Sequence, residues 1–248
     1  MKNWLQGSFD LYKKEIKDSF LSPFVYILAG SFILLTGWIF FSLLVASKDI
    51  TQGTLTSSII APTFSMFRFI FMFVCPLLTM RLISEEKKNH TIELLFLSKL
   101  SDWQIIIGKF CSSMTIVLFM LSLTIIFPII LSFSGYNDWG VVMSSYTGII
   151  LLSMAYVSLG LFTSSLTSNY VISLILAIFM MLGLWFLVLS AASTSNYILG
   201  QILRYFSDVY HFEHFVQGTL RSYSFIYFFS FMFLFLFGTH KSLARRNW

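Results

Sequence analysis

The chain has 248 residues, of which 57% are hydrophobic and 11% charged. A soluble domain carries about 25% charged residues, so this composition excludes an ordinary globular core and points to a polytopic membrane protein. The net charge of +5 raises nucleic acid as a partner, but the basic residues gather beside the ends of apolar runs, which is the pattern of membrane topology.

The N-terminal stretch MKNWLQGSFDLYKKEIKDSF is polar and periodic, without the apolar core and small-residue cleavage site of a secretory signal. Leu5, Phe9, Tyr12, Ile16 and Phe20 fall on one helical face, with Lys13, Lys14 and Lys17 off it. Asp10–Lys14 and Lys14–Asp18 are spaced to support each other along a helix. An amphipathic helix over residues 1–22 with a basic side suits the inner membrane interface; an ordinary soluble helix is the alternative. Ser22-Pro23 then turns the chain into the bilayer.

A span of about 20 apolar residues crosses the hydrocarbon core. The first is expected from Phe24 to Ala46, followed by a polar loop from Lys48 to Ser58. The second runs from about Ile59 to Met80, with Pro62 near its start and Pro76 inside it, and it contains Arg68. The third begins near Ser101, where Gln104 completes a capping box, and continues through the apolar run Phe110–Ser134. Gly135-Tyr-Asn-Asp138 is a turn signal. The charge-free stretch from Trp139 to Leu203 suits two spans, near Val141–Phe162 and Tyr170–Leu189, broken at Ser164-Ser165 to Ser168-Asn169. Gly160 and Ser164 form a small-xxx-small pair that lets helices approach closely. Residues 191–221 mix polar and apolar side chains and are expected to form short helices dipping into the outer leaflet. The sixth span is Ser222–Thr239. The chain reads as one domain over residues 1–248.

Six spans put both termini on one side, together with Lys2, Lys13, Lys14, Lys17, Arg81, Lys87, Lys88, Lys99, Lys109, Lys241, Arg245 and Arg246, which are 12 of the 16 Lys and Arg. The positive-inside rule makes that side cytoplasmic. Between spans two and three lies a charged island, RLISEEKKNHTIELLFLSKLSDWQIIIGK. Ile92, Leu95 and Phe96 make an apolar stripe on it, Leu94 and Leu97 add apolar content, and Glu86 and Glu93 add acidic points. A loop needing only solubility would not carry so many large apolar residues, whereas a helix inserting into a partner's groove would.

No enzyme signature is present. Gly108-Lys109 lacks the rest of a phosphate-binding loop, since Trp103 stands where Gly is needed and Phe110 where Ser or Thr is needed. No nucleophile elbow or zinc-protease motif occurs. Cys75 and Cys111 lack the spacing of a metal site or a disulfide framework. His211 and His214, with Glu213 between them, are weak metal candidates without an evident third ligand beyond Asp208; interfacial polar residues are the plainer reading. Arg68 is an ionisable residue inside a span, a costly placement that marks a candidate substrate path. It can also snorkel outward or pair with Asp138, Asp208 or Glu213.

Arg81-Leu-Ile-Ser-Glu-Glu-Lys87, Thr91-Ile-Glu-Leu-Leu95, Asp102-Trp-Gln-Ile105 and Gly108-Lys109 resemble the coupling region of ABC-2 type transporter permeases. More narrowly they resemble the gliding-motility and nitrous-oxide-reductase-maturation branch. Ser22-Pro23-Phe24, Pro76-Leu-Leu-Thr-Met-Arg81, Asp138-Trp-Gly140, Tyr146-Thr-Gly148 and Leu243-Ala-Arg-Arg-Asn-Trp248 agree, so the likeness spans nearly the whole chain. Two positions depart from it: His90 stands where the family usually has Gly, and Lys99 where Pro often follows.

The resemblance implies an all-α membrane protein with six transmembrane helices. It also implies an interfacial N-terminal elbow helix, a cytoplasmic coupling helix within residues 82–100, and short re-entrant helices before span six. It implies a bacterial inner-membrane permease that pairs with a second permease subunit, as a homo- or heterodimer. A separate ATPase subunit in two copies would bind the ATP and Mg and meet the permease at Glu85, Glu86, Thr91, Ile92, Glu93, Leu94, Leu95 and Phe96. The expected function is the permease of an ATP-driven exporter, with no cofactor of its own. The alternatives are a force-transmitting membrane component without a transported substrate, and a secondary transporter or channel working alone.

Overall fold

A computed structural model describes residues 4–47, 55–89, 91, 101–133, 136, 138–194 and 196–245. The described residues are helical, with no strand among them, and six helices are long and apolar enough to cross a membrane. Helix α1 spans Trp4–Leu21 and α2 spans Pro23–Ser47. The break falls at Ser22, whose Oγ accepts the Phe24 N–H at 3.3 Å, and Pro23 opens α2 at the position where a missing N–H costs nothing. A π-helical turn, Thr56–Ile60, leads into α3, Ala61–Thr79. A short helix α4, Ser84–Lys88, follows.

Helix α5 spans Asp102–Leu123 and begins as expected, with Gln104 Oε1 accepting the Ser101 N–H at 2.7 Å. The apolar run after it, read from sequence as one uninterrupted span, is broken. Helix α6, Ile126–Phe133, is separate, and the break sits at Thr124–Ile125. Pro128 is the cause: it has no N–H to give the carbonyl four residues back, that of Thr124, which accepts the Phe127 N–H at 3.0 Å instead. The Thr124 hydroxyl caps the turn, lying 2.7 Å from the Leu121 carbonyl and 3.0 Å from the Tyr146 phenol.

Helices α7, Trp139–Leu166, and α8, Tyr170–Ser193, divide the charge-free stretch where the serine-rich break was expected. Two short helices follow, α9 at Tyr197–Phe206 and α10 at Asp208–Val216. Each has an N-cap, Asn196 accepting from Ile198 N–H and Ser207 from Val209 N–H. Gly218, at φ +76°, ends the α10 turn. Helix α11 is Ser222–Ala244.

The core is organised on α7. In its apolar window 78% of residues are buried, against 17% for α8 and 22% for α11. Its small residues make this possible: Ser145, Ser153, Ser158, Thr163, Ser164 and Ser165 are all fully buried. Five of these hydroxyls donate back into the helix, as Ser158 does to the Ala155 carbonyl at 2.7 Å, and Ser164 donates instead to the Met80 carbonyl. Helices α3, α5, α8, α10 and α11 pack around it. The closest approach is at Gly160, where a Cβ would lie 2.0 Å from Thr79 Oγ1 and 3.0 Å from Thr79 Cβ. Gly160→Ala is therefore expected to separate α3 from α7 and cost about 1–3 kcal/mol. A thermal melt in detergent reads this, and adding Thr79→Ala should recover part of the loss.

Helix α1 is docked rather than isolated. The face in contact with α5 is centred on Leu11, which is buried, and Glu15, while Phe9, expected on the apolar face, is exposed and carries the Lys13 ammonium 4.7 Å above its ring. Gly108 explains the shift. A Cβ there would lie 3.1 Å from Leu11 Cδ2 and 3.3 Å from the Ser8 carbonyl oxygen, so α1 lies almost on the α5 backbone. The Tyr12 phenol then reaches Thr115 Oγ1 at 3.0 Å.

Candidate functional site

Most described charges collect at one end of the bundle, where α1, α4, the start of α5 and the ends of α7 and α11 meet. Lys109 is the centre of this cluster. It is 1% exposed, and its Nζ lies 2.8 Å from Glu15 Oε1 and 2.7 Å from Glu86 Oε1. One ammonium thus ties the N-terminal helix, α4 and α5 together by two charge-assisted hydrogen bonds. Glu86 Oε2 is buried without a hydrogen-bond partner.

A second set of bonds fixes the turn from α3 into α4. Ser164 Oγ accepts the Ile83 N–H at 3.2 Å and the Ser84 N–H at 3.1 Å, and donates to the Met80 carbonyl at 3.0 Å. These amides lie at a helix N-terminus, where they lack partners of their own. Lys87 Nζ donates to the Ser165 carbonyl, which also accepts from Ser242 Oγ at 2.9 Å. A cation at the last carbonyls of a helix also opposes the helix dipole. Around this frame the Arg81 guanidinium lies 5.5 Å from the Phe24 ring centroid and 5.3 Å from that of Tyr170, and Trp103 stacks on His240 at 4.8 Å.

The residues expected to meet a partner divide accordingly. Glu85 is exposed on α4, whereas Glu86 turns inward to Lys109. Thr91 is exposed, its N–H donating to the Glu86 carbonyl at 3.0 Å. Ile92, Glu93, Leu94, Leu95 and Phe96 lie outside the described residues, as do His90 and Lys99. Both borders of that segment are anchored: α4 by Ser164 and Lys109 before it, and the Ser101 cap of α5 after it.

Sequence reasoning counted Lys109 and Lys87 as topology charges and as parts of the family likeness, and gave neither of them nor Glu15 a pairing role. A signal for Lys109 was present, since it lies seven residues into a helix that continues as an apolar span, and an ionisable residue so placed needs a partner.

At the opposite end, Arg68 finds its partner among the three considered. Arg68 Nη1 lies 3.9 Å from Asp208 Oδ2, with side chains 12% and 4% exposed. The Tyr156 phenol of α7 donates to the same oxygen, and Asp208 Oδ1 is buried without a partner. Asp138 instead accepts from the Thr56 hydroxyl at 3.3 Å. Burial raises the Asp208 carboxyl above its ordinary value, and the Arg68 charge opposes that rise. The pair pins α10 to α3 and α7. Gly148 makes room for it, since a Cβ there would lie 2.5 Å from Phe215 Cβ.

The two histidines turn their ring nitrogens into the fold. His211 Nε2 lies 2.8 Å from the Tyr205 carbonyl, so that nitrogen donates, and Nδ1 lies 3.2 Å from Ser224 Oγ. His214 Nε2 lies 2.8 Å from the Tyr223 phenol. Among the described residues no group of three or more His, Cys, Asp or Glu gathers as a metal site. Burial lowers the His211 pKa, so its folded-state contribution is full above the free-histidine value near 6.5 and is lost as pH falls through it. Thermal stability of the wild type should drop more steeply below about pH 6.5 than that of His211→Gln. Parallel curves would assign the acid loss to other groups.

A family model of ABC-2 family transporter proteins matches residues 49–239. A comparison with curated proteins finds no match. The matched region runs from the loop before α3 almost to the end of α11 and takes in five of the six long apolar helices, the Lys109 triad's α4 and α5 members, and the Arg68–Asp208 pair. It is a membrane permease region and not a nucleotide-binding domain. The chain belongs to the ABC-2 transporter family, as a multi-pass membrane permease component of an ABC transporter.

Proposed function

We propose that this chain is the permease subunit of an ATP-driven exporter of the bacterial inner membrane, driven by a separate ATPase subunit. Two permease chains pair, two ATPase subunits bind beneath them, and ATP and Mg are held by the ATPase. In this reading the end carrying Lys109, Lys87 and both chain termini faces the cytoplasm, α1 is the interfacial elbow, residues 82–100 are the coupling region, and α9 and α10 are the re-entrant helices. The motif likeness to the gliding-motility and nitrous-oxide-reductase-maturation branch is the narrower form of the same reading.

The observation that carries it is the anchoring of a charged, apolar-striped segment at both borders. A push arriving at α4 passes through the Lys109 triad to α1 and α5, and through Ser164 to α3 and α7. A segment serving only solubility would need neither connection. The two anchors let a small displacement at the ATPase become a rigid-body movement of several spans, which is how packed helices carry a switch between two states.

Co-expression with the ATPase subunit tests the reading. The wild-type chain should co-purify with the ATPase and stimulate its hydrolysis. Ile92→Asp and Leu95→Asp should each lower stimulation at least about tenfold, as expected for a charge buried without a partner in an apolar contact. Unchanged stimulation with an intact complex would reject the coupling assignment.

A further inference from the structure

Helix α9 is amphipathic and lies at the surface on both faces. Tyr197, Gly200, Gln201, Arg204 and Tyr205 share one face, at helical spacing, and line an open cavity of about 410 Å3 between the end of α8, α9 and α10. The opposite face carries Ile198, Leu199, Ile202 and Phe206, which are 48–70% exposed, and no residue of α9 is buried. Such a helix is stable where the medium on its outer side is hydrocarbon, so the cavity lies beside lipid.

The cavity has two unlike charges. Arg204, in the last turn of α9, holds its guanidinium 4.9 Å from the Tyr210 ring centroid. Glu213 of α10 reaches the same space and is exposed. Among the described residues neither makes an ion pair within 4.0 Å. Tyr197, Tyr205 and Tyr210 supply aromatic walls. A cation, an anion and aromatic rings fit a zwitterion: a guanidinium holds a phosphate by paired hydrogen bonds, and a carboxylate with ring faces holds an ammonium. The volume falls in the ordinary range of small-molecule sites, about 300–1,000 Å3.

We propose that this cavity binds the headgroup of an aminophospholipid, a phosphatidylethanolamine, with Arg204 on its phosphate, Glu213 on its amine, and its acyl chains along the outer face of α9. The site is separate from the coupling region, and its test does not involve an ATPase.

The full-length chain, delipidated in detergent, is offered defined lipids and the bound lipid is counted by native mass spectrometry. Phosphatidylethanolamine should be retained about tenfold over phosphatidylglycerol, and Arg204→Gln and Glu213→Gln should each reduce its retention about tenfold. Both residues are exposed, so the variants should fold, which their melting curves check. Arg221→Gln, at the same end but outside the cavity lining, should leave retention unchanged. Soluble O-phosphoethanolamine should bind at least tenfold more weakly than the lipid. Equal retention of the two lipids, unaffected retention in both cavity variants, an equal loss with Arg221→Gln, or equal binding of the soluble headgroup would each overturn the proposal.

Discussion

Lys109→Met is expected to cost about 3–5 kcal/mol, because removing one partner from a buried ionic cluster leaves the others uncompensated. Glu15 and Glu86 are 16% and 20% exposed at the side chain, and they face each other across the Lys109 ammonium. Without it two carboxylates confront one another with one oxygen already lacking a partner. The damage should be specific in kind. Helix α1 should loosen from α5, increasing protease access at Lys13, Lys14 and Lys17, and ATPase stimulation should fall even in chains that remain folded. Adding Glu15→Gln and Glu86→Gln to Lys109→Met should recover most of the stability, since a neutral cluster is often no worse than an ionic one. It should not recover stimulation if the charged bonds carry the displacement. Stability and stimulation measured on the same three proteins separate these roles.

Arg68→Met is the second large effect, with an expected loss of about 3 kcal/mol. Asp208 would lose its cationic partner, keeping the Tyr156 hydrogen bond on Oδ2. Burial already raises the Asp208 pKa, and without the guanidinium the rise would be unopposed. A carboxyl whose folded pKa lies above its unfolded value binds the extra proton in the folded state, so stability falls as pH rises through that window. The penalty of Arg68→Met should therefore be larger near about pH 8 than near about pH 5. Arg68→Met with Asp208→Asn should remove this pH dependence and recover part of the loss. Detergent melts at the two pH values check both statements. A penalty independent of pH would mean that Asp208 does not depend on Arg68 for its charge.

The spans were readable because an apolar run of about 20 residues has few other uses. Pro23, the Ser101–Gln104 cap and the break after Ser165 were readable because their chemistry is local. The kink at Thr124 was equally local, and Pro128 announced it four residues downstream. The face of α1 was readable in part, since Tyr12 and Phe20 of the expected stripe do meet α5. Phe9 fits the apolar stripe by periodicity, but the close approach at Gly108 selects a face centred on Leu11 instead, and a partner helix 94–100 residues away leaves no periodic trace. The Lys109 triad was hidden for the same reason, because its carboxylates lie on two other helices. Gly160 and Ser164 show the intermediate case. The small-xxx-small spacing permitted close approach, while the Ser164 bonds to Ile83, Ser84 and Met80 depend on how α3 ends. Arg68 had three candidate partners, and the placement of α10 by Gly148 and the Ser207 cap selected Asp208.

Glu85 and Thr91 are exposed and border the segment through which the ATPase is proposed to act. In a chain whose Cys75 and Cys111 are replaced by serine, single cysteines at Glu85 or Thr91 should cross-link to the co-expressed ATPase subunit. The yield should change when ATP is added. A cysteine at Gln217, exposed at the far end of the bundle, should not cross-link. Cross-links from Gln217 and none from Glu85 or Thr91, in a complex that still hydrolyses ATP, would contradict the account.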